Sequence, residues 1–220
     1  MTTESIIKGL TAQAKNETEL LVRIHDWVRD NIEFGFTADF ESTTPNKTVQ
    51  QKMGHCNAQA DLFRHLLVLA GFNARLSFVF INKSILKKAI PREVYFFLPS
   101  KLFHAVTQVE VSGEWVSTDS YIFTREQFRK QQNKLTESGA SEGFGIHQNS
   151  VFEWNGRMNA FSQADDSLPL YAHVFIDLKK ANTSKDNNNK IFGIHFNYFL
   201  KPISLVGNKY FKKYINQYLN

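Results

Sequence analysis

Cysteine is nearly missing from this sequence: Cys56 is the only one in 220 residues. A lone thiol cannot form an internal disulfide, and it excludes the cysteine-rich class of zinc sites. No run of eighteen apolar residues occurs, so no membrane-spanning helix and no membrane partner are expected. The N-terminal stretch MTTESIIKGLTAQAK is too polar for the apolar segment of a signal peptide. With one thiol and no export signal, a reducing, cytoplasmic location is expected. Acidic residues are almost absent from one region only. From Lys179 to Asn220 there are eight Lys, no Arg and one Asp, a balance of +7, so the remaining residues carry −2 of the net +5. Such a tail is read as a solvated surface rather than a nucleic-acid site, because charge alone is unspecific.

What is present suits a folded globular chain. Hydrophobic residues make up 42% and charged residues 21%, and twenty Phe supply mass for a large core. No linker composition divides the chain, so residues 1–220 are expected to form a single domain. Apolar spacing predicts helices over Thr3–Ala14 and from Glu17 onward, the second opened by Asn16 as N-cap. Thr48 and Gln51 fit a capping box, and the helix Cys56–Ala70, ended by Gly71, has a broad apolar face. Ala74–Ile81 reads as a strand. FHAVTQVEV and EWVSTDSYIF read as two more, joined by the Ser112-Gly113 hairpin signal. Beyond Phe123 a helix over TREQFRKQQNKL, a flexible loop over TESGASEGFGIHQNS, a polar loop over KKANTSKDNNNK and a C-terminal helix over KYFKKYINQYL are expected. Asp165-Asp166 is read as a loop without a metal, and Trp154 as a packing anchor.

Cys56 opens its helix, where backbone N–H groups lack acceptors and the helix dipole is positive. Both favour thiolate over thiol, and the same N–H groups can hold an oxyanion. Gly54 is expected to keep the approach open. The competing reading is that Cys56 is a small buried apolar residue, and position alone leaves the two even. A nucleophile needs a base. His55 is adjacent but points elsewhere, His65 is too far along the helix, and His25 is expected at the surface. His104 differs. With a two-residue turn at Ser112-Gly113, Val111 opposes Glu114, His104 faces Tyr121, and Val106 faces Asp119. His104 and Asp119 are then diagonal neighbours on one face, within bridging reach. A carboxylate there can fix the imidazole tautomer and stabilise the imidazolium. A three-residue turn would send Asp119 to the other face.

At this point GHCNAQADLFRHLLVLAGFNAR resembles the nucleophile helix and strand entry of the transglutaminase-like superfamily, and FHAVTQVEVSGEWVSTDSY resembles its His strand, glycine turn, Trp and Asp. The resemblance runs from Leu20 to about Tyr121. It implies an α+β, papain-like core over residues 20–123, with the nucleophile helix packed on an antiparallel sheet and residues 124–220 as a C-terminal extension. It implies Cys56 as nucleophile, His104 as general base then acid, and Asp119 as orienter, with no metal or other cofactor. The departures are Asn73 for the usual Pro, Asn57 for the common aromatic, and Ala105 for the frequent Trp. Gln50 is the oxyanion candidate by comparison with papain-like enzymes, with Gln51 as the other choice and a solvent-facing or capping role as the plain reading of both. His55, Asn57 and Tyr121 are the candidate cleft residues. The expected activity is protease, deamidase or acyl transfer on the amide or acyl groups of a protein or peptide. The rival reading is a catalytically silent binding module that uses the basic, aromatic C-terminal region. The sequence does not specify an oligomeric state.

Overall fold

The computed structural model of the protein describes residues 1–206 and 208–219, without the side chains of residues 203–208. Helix α1 (Thr3–Gln13) is capped by Thr2, and α2 (Glu17–Asn31) by Asn16, whose Oδ1 accepts from the Glu19 N–H at 2.9 Å. A short parallel bridge follows, β1 (Glu33–Phe34) with β2 (Met53–Gly54). Between them lies α3 (Pro45–Gln51). Its N-cap is Thr44, with Pro45 in the first turn, so the expected capping box at Thr48 and Gln51 does not form. Proline fits the first turn because its missing N–H has no partner to lose there.

Helix α4 (Cys56–Leu69) is the centre of the molecule. Its apolar face, with Leu62, Phe63, Leu66 and Leu67 fully buried, packs on a four-stranded antiparallel sheet. The sheet consists of β3 (Ala74–Asn82), β4 (Lys101–Val111), β5 (Glu114–Thr118) and β8 (His173–Phe175), ordered β5-β4-β3-β8. Helices α1, α2 and α3 cover the other side of α4. This is the expected α+β, papain-like arrangement of a central helix on an antiparallel sheet. Gly71 takes φ +92° just past α4, a conformation open to glycine at no steric cost.

Val111 opposes Glu114, as the two-residue turn requires, and the pairing continues to Thr107 opposite Thr118. There β5 ends. Asp119 turns away, and its N–H donates to the Ala160 carbonyl at 3.1 Å. The expected pairing of Tyr121 with His104 therefore does not exist. Strand β4 is buried from Leu102 to Val109 with no alternation, because both sheet faces are covered.

The segment between β3 and β4 holds the short α5 (Arg92–Phe97). After β5 come α6 (Arg125–Ser138) and a small hairpin, β6 (Glu142–Gly143) with β7 (Ile146–His147). This hairpin occupies the stretch expected to be a flexible loop. The chain then supplies β8 to the sheet edge, α7 (Leu178–Asn182), the hairpin β9 (Lys190–Ile191) with β10 (Ile194–His195), α8 (Phe196–Val206) and α9 (Asn208–Ile215). No helix among the described residues is long and apolar enough to cross a membrane. Trp154 is buried against Phe63 and His25, as a packing anchor should be.

Candidate active site

Cys56 is the first residue of α4 and is half-buried. His55 is the N-cap but places no side-chain bond on the helix end. The first-turn N–H groups therefore keep no intrahelical acceptor. The Cys56 thiol lies 3.4 Å from Asn57 Oδ1.

His104, in the middle of buried β4, points Nε2 at Asp119 Oδ2, 2.7 Å away. Both side chains are wholly buried. A carboxylate can only accept, so Nε2 carries a proton, and Nδ1 is the ring atom left for Cys56. No hydrogen bond to Nδ1 forms among the described residues, and Cys56 and His104 line the same cavity. Burial works against a charged imidazole, but the charge on Cys56 and the Asp119 hydrogen bond outweigh it and push the His104 pKa up to about 10. The ring is thus held as imidazolium across the neutral range.

Asp119 is itself anchored by backbone. Its Oδ1 accepts from the Ser162 N–H at 2.5 Å, its Oδ2 from the Ala164 N–H at 2.9 Å, and the Gln163 N–H lies 3.3 Å from both oxygens. Three successive amides converging on a carboxylate form an anion nest. Behind it, buried His25 bridges Asp26 Oδ1 at 2.9 Å and Ser120 Oγ at 2.8 Å. His25 is therefore a core residue, not the expected surface one. Burial depresses its pKa, with Asp26 opposing that shift.

A second polar cluster lies beside the thiol. Asn57 Nδ2 donates to Glu41 Oε1 at 2.6 Å and to the Phe103 carbonyl at 3.0 Å, while its Oδ1 accepts from the Ala105 N–H at 2.8 Å. One side chain thus ties the start of α4 to the backbone on both sides of His104. Glu41 also accepts from Asn189 Nδ2 at 2.7 Å and Asn187 Nδ2 at 3.3 Å, and lies 2.9 Å from His195 Nε2. Burial would raise the Glu41 pKa, but His195, the charge of His55 and the Asn189 amide hold it below the usual carboxylate value. Asn187 and Asn189 are almost fully buried, although they belong to the stretch expected to be a polar loop.

The remaining candidates divide. His55 is 2% exposed, stacked on Phe40 with ring centres 4.2 Å apart, and its Nε2 has no protein partner among the described residues. Burial, helped by the charge of His104 and opposed by that of Glu41, lowers its pKa to about 4, so the ring is neutral at pH 7. His55 and Asn57 line a cavity that also reaches Cys56 and His104. Tyr121 does not line it. The Tyr121 ring packs on Phe63 inside the core, and its hydroxyl lies 2.7 Å from Thr107 Oγ1. Gln50 is exposed and lies outside the cavity lining, and Gln51 donates to Asp39 at 2.6 Å. Gly54 is packed rather than open: a Cβ there would stand 3.1–3.3 Å from Thr48, Gln59 and Ala58. Residues 162–164, Glu41 and Asn189 were not legible as site residues, because backbone donors and isolated Asn or Glu carry no motif.

The model of the transglutaminase-like superfamily matches residues 4–120, more than half of the chain. Among solved structures, one from Cytophaga hutchinsonii, provisionally named a cysteine protease, aligns with TM-score 0.39 and 20% identity. The alignment covers 52% of this chain and 36% of that one. No curated protein matches the chain.

Proposed function

Since this chain belongs to the transglutaminase-like superfamily, we propose that it is a thiol enzyme acting on an amide or acyl group carried by a protein or peptide, through Cys56, His104 and Asp119. One observation carries this reading: His104 spans from Asp119 Oδ2, 2.7 Å from Nε2, to the neighbourhood of the lone thiol. In the first half-reaction the Cys56 sulfur attacks the substrate carbonyl, forming a C–S bond. The imidazolium of His104 gives its Nδ1 proton to the leaving group as the bond from the carbonyl to that group breaks. Water or an amine then attacks the thioester, His104 takes its proton, and the thiolate leaves. The open first-turn amides of α4 are the donors for the oxyanion, which leaves no part for Gln50. Hydrolysis and amine transfer share all these steps and differ only in the second nucleophile.

Iodoacetamide at pH 6 tests the pair. Cys56 in the wild-type protein should label at least tenfold faster than in His104→Ala, as followed by intact mass. Equal rates in the two proteins, matching an unactivated thiol, would support the silent binding module instead.

A further inference from the structure

The cavity at Cys56 has a volume of about 220 Å³ and a wall that is almost entirely hydrocarbon. Ile81, Ile85, Leu98 and Leu102 come from the core, and Phe196 and Phe211 from the C-terminal extension. No Lys, Arg, Asp or Glu lines it among the described residues. His55 is neutral there. The amides that reach the wall are already used. Asn57 and Asn189 bond to Glu41 and to the backbone of Phe103 and Ala105, and Gln163 Nε2 donates to the Gly145 carbonyl at 2.7 Å. Of the fully buried polar side-chain atoms there, those without a partner among the described residues are His55 Nε2 and His104 Nδ1, on residues grouped around Cys56.

A peptide bound in such a space would have to bury backbone N–H and C=O groups without partners, at a cost of about 1–3 kcal/mol each. A hydrocarbon chain has no such groups, and its single carbonyl belongs beside the sulfur. An apolar protein cavity of roughly 150 Å³ suffices for benzene, so this one has room for about eight carbons. Building on the reading of Cys56 as a nucleophile, we infer that the cavity is an acyl pocket: the group transferred to the thiol is a medium-length, unbranched hydrocarbon acyl chain, removed from an ester, thioester or amide. The atoms balance as in the scheme above, with the acyl carbon joined to Sγ, the leaving group protonated by His104, and water releasing a fatty acid.

The test uses the full chain and p-nitrophenyl esters of acetate, butyrate and octanoate, plus the p-nitrophenyl ester of N-acetyl-phenylalanine. Acyl-enzyme at Cys56 is read by intact mass and turnover by nitrophenol release. A buried methylene adds about fourfold, so kcat/KM should rise at least tenfold from acetate to octanoate, and octanoate should exceed the phenylalanine ester. Val94→Phe, at the half-buried part of the wall on α5, should remove the chain-length preference while leaving iodoacetamide labelling of Cys56 unchanged. Equal rates across the series, or a faster phenylalanine ester, would overturn the acyl pocket while the thiol reading stands. Failure of Cys56 to label with iodoacetamide would instead remove the thiol reading beneath it.

Discussion

His104 and Asp119 form a fully buried pair, and the pair is asymmetric. Asp119 has three backbone donors besides the imidazole, whereas His104 has only Asp119 and the thiol. Removing the charge of Asp119 should therefore act on His104 first. Asp119→Asn is expected to lower the His104 pKa from about 10 toward the ordinary value, read as the ring shift in an NMR titration. It should also cost about 3–5 kcal/mol of stability, because one partner of a buried charged pair is lost. An unchanged titration would mean that the thiol alone holds the proton. The nearness of His104 and Asp119 was legible from the sequence because a two-residue turn brings β5 back along β4 as far as Thr118, one residue short of Asp119. The nest at residues 162–164 was not, since backbone amides look alike at every position.

Among the elements, α4 both packs on the sheet and has the thiol as its first residue. Its start is held twice. Asn57 ties it to β4, and Glu41 ties Asn57 to the hairpin region between α7 and α8 through Asn187, Asn189 and His195. Asn189→Ala breaks that second tie and leaves one donor fewer on a buried carboxylate. It should cost about 1–3 kcal/mol in chemical denaturation and speed hydrogen exchange from α7 to β10. Unchanged exchange there would show that the extension is held by apolar contacts alone. The helix and strand positions followed from periodicity, as in α4 and β3. Boundaries failed where tertiary packing overruled local pattern: Thr48 lies inside α3, not at its cap, and β5 stops at Thr118 because Asp119 is drawn to the Ala160 carbonyl and the residue 162–164 amides.

The whole molecule buries histidines of opposite tendency, which gives its stability a defined pH dependence. His55 stays neutral when folded down to about pH 4, but takes up a proton near 6.5 when unfolded. The unfolded state then binds more protons, so stability should fall as pH drops from 6.5 to 4, by about 3 kcal/mol for this group. His25 acts in the same direction. Glu41, held below its usual value, adds a further loss at still lower pH as it protonates. His104 is opposite: its contribution is complete below pH 6.5 and is lost as pH rises through about 10. Denaturation midpoints across pH 4–7 check this, and His55→Phe should flatten the slope; an equal slope would assign it to His25. The basic tail shows the same division between local and global order. Its lysines carry the charge asymmetry, while Phe196 and Phe211 turn inward to wall the cavity and Tyr198 and Tyr210 remain exposed. The sequence by itself determined the central helix and the hairpin register, because each rests on periodicity or spacing within a short stretch, and its quoted motifs carried the resemblance to the family. Only the tertiary structure decided that the extension supplies the Asp119 nest, the Glu41 clamp and part of an apolar cavity wall, because those contacts join residues far apart in sequence, 148 positions for Glu41 and Asn189, whose types signal nothing until they meet.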